Sequence, residues 1–305
     1  RGPARRGRHV NQLDLAKHVR HLALTLICVS LLAGLGLYIR WPVTRVDTFR
    51  NEDVAGITYN SDLLRHGKVP LVDNLEYKAP GSFFLVYGVW TVWGRSITVL
   101  EVFGMAWALL AGLGVFFGGR LMFGWASGLL AGLIYTIYAP ISDSMTVNYN
   151  TWMITAYVWC TVFFIAGLKR GSLRWFVLCG VSLAWAALFK RQAGVLFPIF
   201  PLVLWLAPRL GLPPRWRLLR REGQHRRAIY AFLGGLAVGF GALGVYFLAA
   251  AGLEGVWAYV KHFFLSGAAG ATWAASWTRP TSSTASRTPS PGSTSSCCCP
   301  RCWPA

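Results

Sequence analysis

The sequence predicts an all-α fold: a polytopic membrane helical bundle with an outer loop carrying short surface helices. Three observations carry that prediction. Of 305 residues, 54% are hydrophobic and 13% charged, against about 25% charged in an ordinary soluble domain. The apolar residues gather in runs close to ~20 residues, the length that crosses a hydrocarbon core of ~30 Å as a helix. The 30 Lys and Arg residues sit in short segments between those runs, as in cytoplasmic loops that obey the positive-inside rule. Because no basic domain stands apart from the spans, the net charge of +19 argues against nucleic acid as a partner.

The elements follow in order. Residues 1–21, with "RGPARRGRH" and "AKHVRH", form a basic cytoplasmic N-terminus. About seven spans are expected, at 22–40, 96–118, 121–139, 152–168, 174–190, 193–208 and 229–251. The first, "HLALTLICVSLLAGLGLYI", is long enough to span and is followed by no small-residue cleavage pattern, so it reads as a retained helix rather than a signal peptide. The loops near Arg120, at 169–174 and at 208–227 fall inside, the last with seven Arg against one Glu. The loop 41–81, the loop 140–151 and the region after 252 fall outside. Orientation therefore puts the N-terminus in the cytoplasm, and the expected location is the plasma (inner) membrane.

The segment 82–94, "SFFLVYGVWTVWG", has 13 residues, too few to cross as a helix. It is expected as an aromatic-rich helix on, or dipping into, the outer leaflet. The alternative is a tilted span merging with the next. The glycine pairs Gly114/Gly118 and Gly235/Gly239 are spaced for close helix packing. The seven cysteines show neither a disulfide framework nor zinc spacing. Residues 273–305 have no apolar periodicity and read as a disordered or frameshifted tail. A Leu- and Pro-rich run in GC-rich codons, read one base late, yields the "CCCPRCW" of residues 297–303. That reading expects the natural protein to continue into further spans.

Six of the eleven carboxylates fall between Asp47 and Glu76. Within that loop, "EDVAGITYNSDLLRHG" reads as a short amphipathic helix that Gly67 can end. Glu52 and Asp53 occupy its first turn, at the positive end of the helix dipole, a place suited to a general base. Lys78 precedes the apolar segment at headgroup depth, where it can snorkel or meet a lipid phosphate. "FKRQAG" places Lys190, Arg191 and Gln192 at a turn on the outer side, against the positive-inside bias. A second outer-loop site comprises Asp143, Asn148 and Asn150. Glu101, inside a span, needs a partner, with Arg95 or Arg50 the candidates.

Residues 50–81 resemble the first outer loop of the GT-C superfamily of polyprenyl-phosphate-sugar-dependent glycosyltransferases. That superfamily includes glycosyltransferase family 39, the protein O-mannosyltransferases and the lipid A aminoarabinose transferases. The resemblance rests on "ED" at 52–53, Gly67, Pro70, Asp73 and "KAPG" at 78–81, and extends more loosely to about residue 270. The family's acidic pair carries over onto Asp53 in the ungapped register, with Val54 as a departure, or onto Glu52 after a one-residue shift. The resemblance implies Asp53 or Glu52 as the base, and Lys78, Lys190 and Arg191 as binders of the donor phosphate. It also implies an inverting transfer from a polyprenyl-phosphate sugar to a lipid, glycan or protein acceptor. Asn148 and Asn150 stand where the family often has an acid, so no cofactor is implied with certainty and a divalent metal stays open. The rival readings are a transporter or flippase for a lipid-linked or anionic substrate, and an inactive truncated scaffold.

Overall fold

With no water in the bilayer to satisfy backbone N–H and C=O groups, an apolar chain of this kind must close its hydrogen bonds within helices. The computed structural model describes residues 4–42, 52–73, 78–142, 147–206 and 223–265. Its α-helices are α1 (Ala4–Arg40), α2 (Glu52–Arg65), α3 (Gly81–Trp93), α4 (Ile97–Phe123), α5 (Trp125–Tyr138), α6 (Tyr149–Arg170), α7 (Leu173–Phe189), α8 (Ile199–Leu206) and α9 (Gln224–Val260). The tail 273–305 and the loop residues Asp47, Glu76 and Asp143 lie outside the described residues.

Among the described residues, four helical segments are long and apolar enough to cross a membrane: Leu15–Arg40, Ile97–Phe123, Tyr149–Arg170 and Gln224–Phe263. The expected spans 121–139, 174–190 and 193–208 fall on shorter apolar helices. The last is not one continuous helix. Residues Arg191–Leu196 form a 3-10 turn, and α8 begins only at Ile199. Pro198 and Pro201 explain the break, because neither has an N–H to donate to an α-helical ladder. The end expected at 251 coincides with a kink in α9, where Ala251 and Gly252 leave helical geometry.

The middle of the bundle is a row of helices. α6 packs between α4 and α7, and α7 packs between α6 and α9, while α1 leans on α4 and α5. Small residues set the spacing. A Cβ on Gly235 would strike the backbone carbonyl of Val177, and one on Gly180 that of Phe232. A Cβ on Gly239 would lie 2.5 Å from Ala184 Cβ, and one on Gly114 would lie 2.6 Å from Val158 Cγ1. The glycine pairs thus act as expected, except that Gly118 sits at ordinary contact distance from Val162.

α3 is a separate helix. Gly94 stops it at φ 90°, a conformation that favours glycine, so α3 does not merge with α4. Phe83, Val86, Val89 and Trp90 of α3 bury against Val54, Ile57 and Leu64 of α2 and against Leu100 and Trp152. The apolar face of α2 therefore meets protein. α2 ends as its sequence suggests: Lys68 N–H donates to Leu63 O and Gly67 N–H to Leu64 O, both at 3.1 Å, with Gly67 at φ 73°. This 6→1 and 5→2 pairing is a Schellman cap. Arg95 pairs with Asp62 at 3.2 Å rather than with Glu101. Glu101 accepts from Val147 N–H at 3.4 Å, which ties α4 to the start of α6, and its other candidate partner, Arg50, lies outside the described residues.

Gly180→Ala is expected to destabilise the α7–α9 contact by about 1–3 kcal/mol, the cost of overpacking against backbone. Gly234→Ala, with open space around it, is expected to be neutral or stabilising, as helix propensity alone dictates. Thermal denaturation of the detergent-solubilised full chain compares the two; equal midpoints would contradict the packing.

Candidate functional site

α2, α3, α6 and α7 bring their ends to one place. Glu52 and Asp53 open α2. Lys78 stands three residues before α3. Its side chain reaches back over α2 because Gly56 leaves room: a Cβ there would lie 2.8 Å from the Lys78 ammonium. Lys78 Nζ pairs with Asp53 Oδ1 at 3.2 Å and donates to the Asp53 backbone carbonyl at 3.3 Å. The lysine is 11% exposed and the aspartate 32%, so the carboxylate stays open to a reactant while the ammonium is largely covered.

Gly81 brings the other half. A Cβ there would lie 2.6 Å from the Leu188 carbonyl oxygen, so the start of α3 presses against the last turn of α7. Two residues on, Lys190 takes extended geometry and ends that helix. The glycine of "KAPG" thereby holds Lys78 and Lys190 at the same cleft. That cleft, of about 90 Å³, is lined by Lys78, Tyr149, Phe189, Lys190, Arg191 and Gln192.

α6 contributes its N-terminal turn. Asn148 caps the helix, its Oδ1 accepting from Asn150 N–H at 3.0 Å. Tyr149 OH donates to Asp53 Oδ2 at 3.2 Å, so both carboxylate oxygens are held. Lys190 Nζ donates to Asn150 Oδ1 at 2.8 Å and lies 5.3 Å from the centre of the Tyr149 ring. Both of those partners are neutral. Among the described residues no carboxylate lies within ion-pair distance of Lys190. Arg191 donates to the His262 carbonyl at 2.9 Å, fastening the turn to the π-helical turn Lys261–Leu265 that follows α9.

The structure thus unites Asp53, Lys78, Lys190, Arg191 and Asn150. Asn148 is buried as a cap, and Asp143 and the Glu52 side chain lie outside the described residues. Among the described residues no three His, Cys, Asp or Glu side chains gather as a metal site. Tyr149 and Gly56 escaped sequence reasoning. Their importance depends on contacts 96 and 22 residues away, at Asp53 and Lys78 respectively. The motif itself held a hint, since a small residue one turn after an acid leaves room for a crossing side chain.

An apolar groove of about 430 Å³ begins beside the cleft. Met153, Ile154, Tyr157 and Val158 of α6 line it, and Gln192 borders both spaces. A charged pocket joined to an apolar groove suits an amphiphile with an anionic head. The start of α6 adds its helix dipole to the attraction for that anion.

Residues 77–238 match the sequence model of the dolichyl-phosphate-mannose-protein mannosyltransferase family, which is more than half of the chain. No curated protein sequence matches the chain.

Lys190→Gln removes the cation that no described carboxylate neutralises. It is expected to weaken binding of dodecyl phosphate by at least about tenfold, the scale of a hydrogen bond to a charged group. Isothermal titration of the solubilised full chain measures this; unchanged affinity would remove Lys190 from the site.

Proposed function

We propose, from the premise that this chain belongs to the dolichyl-phosphate-mannose-protein mannosyltransferase family, a role for each side of the cleft. The family makes the protein a membrane glycosyltransferase of the GT-C type, rather than a transporter. The donor is a polyprenyl-phosphate sugar and the acceptor is a hydroxyl on a lipid, glycan or protein. The observation that carries it is that Lys78 and Tyr149, which hold the accessible Asp53 carboxylate, line one cleft with Lys190, a cation that no described carboxylate neutralises.

The donor's lipid chain lies in the groove along α6, and its phosphate enters the cleft. The acceptor oxygen attacks the anomeric carbon from the face opposite the phosphate. The bond from that carbon to the phosphate oxygen breaks, and the sugar's configuration inverts. The acceptor proton passes to the Asp53 carboxylate, and the electron pair leaves with the phosphate. Lys190, Arg191 and Lys78 stabilise the charge that grows on the leaving oxygen. Lys78 and Tyr149 hold Asp53 from its two sides, which fixes the carboxylate's direction before the acceptor arrives. The proposed outer location of the site follows from charge. The opposite ends of these helices carry Arg120, Lys169, Arg170, Arg174, Arg226 and Arg227, the positive-inside signature.

Asp53→Asn is expected to lower the rate of transfer from a polyprenyl-phosphate sugar by about 10²–10⁴-fold, the range for loss of a general base. Its binding of dodecyl phosphate is expected to persist. Glu52→Gln is expected to keep most activity. A transfer assay on the reconstituted full-length protein decides; wild-type rates in Asp53→Asn would remove it as the base.

A further inference from the structure

A second charged cleft lies at the far end of the same helices. Arg120 closes α4, Lys169 and Arg170 close α6, and Trp175 lies in the first turn of α7. Along α6 these residues are separated from the first site by about 30 Å, the thickness of the hydrocarbon core. The cleft has a volume of about 360 Å³. Its lining combines the cations Arg120, Lys169 and Arg170 with the apolar Phe117 and Val162, which lie on α4 and α6 one to two turns further from the helix ends.

Last-turn cations commonly answer a helix dipole, and part of this cluster does so: Lys169 donates to the Leu121 carbonyl at the end of α4. Arg120 stacks 3.5 Å from the centre of the Trp125 ring and donates to Thr25 Oγ1 at 3.3 Å, so its guanidinium is fixed in place. Arg170 lies 4.9 Å from the Trp175 ring centre. None of these contacts neutralises charge. Among the described residues, no carboxylate is within ion-pair distance of Arg120, Lys169 or Arg170. The Trp175 indole N–H is buried without an acceptor. Three cations that no described carboxylate neutralises therefore line a space together with the apolar Phe117 and Val162.

The structure assigns this cleft as a binding site for an anionic phospholipid, with the phosphate among Arg120, Lys169 and Arg170 and the start of an acyl chain against Phe117 and Val162. A free phosphate satisfies the cations and leaves the apolar lining uncovered, whereas a lipid satisfies both. The occupant bridges the ends of α4, α6 and α7, and so ties together α6 and α7, which carry part of the first site at their other ends, and the neighbouring α4.

Native mass spectrometry of the full chain tests the site with equal amounts of dioleoylphosphatidylglycerol and dioleoylphosphatidylcholine. Wild type is expected to retain the anionic lipid in preference. Arg170→Gln, at an exposed position, is expected to cut that preference about fivefold, the scale of one cation near an anionic surface. The double variant Arg120→Gln/Arg170→Gln is expected to bring the two lipids near parity. Arg226→Gln/Arg227→Gln, which removes as much charge outside the cleft, is expected to leave the preference intact. Equal retention by wild type, or equal losses in the two double variants, would overturn the site. Displacement of the lipid by millimolar inorganic phosphate would overturn its assignment to a lipid.

Discussion

Lys78 reaches Asp53 across 25 residues of sequence, and the candidate site depends on that crossing. The ammonium passes through the gap that Gly56 leaves on α2. The same short stretch presses Gly81 against the end of α7. One lysine and two glycines thus bring the start of α2, with Asp53, and the end of α7, with Lys190, to the two ends of one short stretch. Tyr149 adds a second hold on Asp53. A carboxylate gripped at both oxygens can point only one way, and that preorganisation is what a reaction between two bulky substrates requires. Because the helices behind it are packed backbone to backbone at Gly180 and Gly235, their ends have little freedom to drift.

Much of this was legible in the residues. "EDVAGITYNSDLLRHG" announces a helix with carboxylates first and a glycine stop last, and the structure gives it that start and a Schellman cap. "KRQ" at a turn on the less basic side stood out as charge without a local reason, and the fold supplies one in Asn150 and His262. What the pattern could not show was depth and continuity. Hydropathy counts apolar residues but not backbone donors, so 193–208 looked like one span although two prolines divide it. Tyr149 lies one residue from Asn148 and from Asn150, and its type alone does not single it out. A tyrosine beside a membrane has many ordinary uses, and only the contact with Asp53 marks this one.

The chain separates its charges by role. At the end where α2 and α3 gather, cations meet a carboxylate and neutral acceptors around a small cleft. At the other end, cations stack on tryptophan and share a cleft with apolar side chains. Membership of a mannosyltransferase family fits the first arrangement, because a sugar leaving a lipid phosphate needs both a proton acceptor and a stabilised anion. The apolar groove that shares Gln192 with the cleft fits the same demand from the lipid side. Neither end needs a nucleotide-binding element to explain its geometry.

The central claim is that the cleft between Asp53 and Lys190 receives a lipid phosphate. An electron cryomicroscopy structure of the full chain with a bound polyprenyl phosphate tests it most directly. The phosphate is expected within about 3 Å of the Lys190 ammonium, the length of a charge-assisted hydrogen bond, with its chain along Met153 and Tyr157. A phosphate seated away from Lys190, with the cleft closed by the Lys78–Asp53 pair, would contradict it.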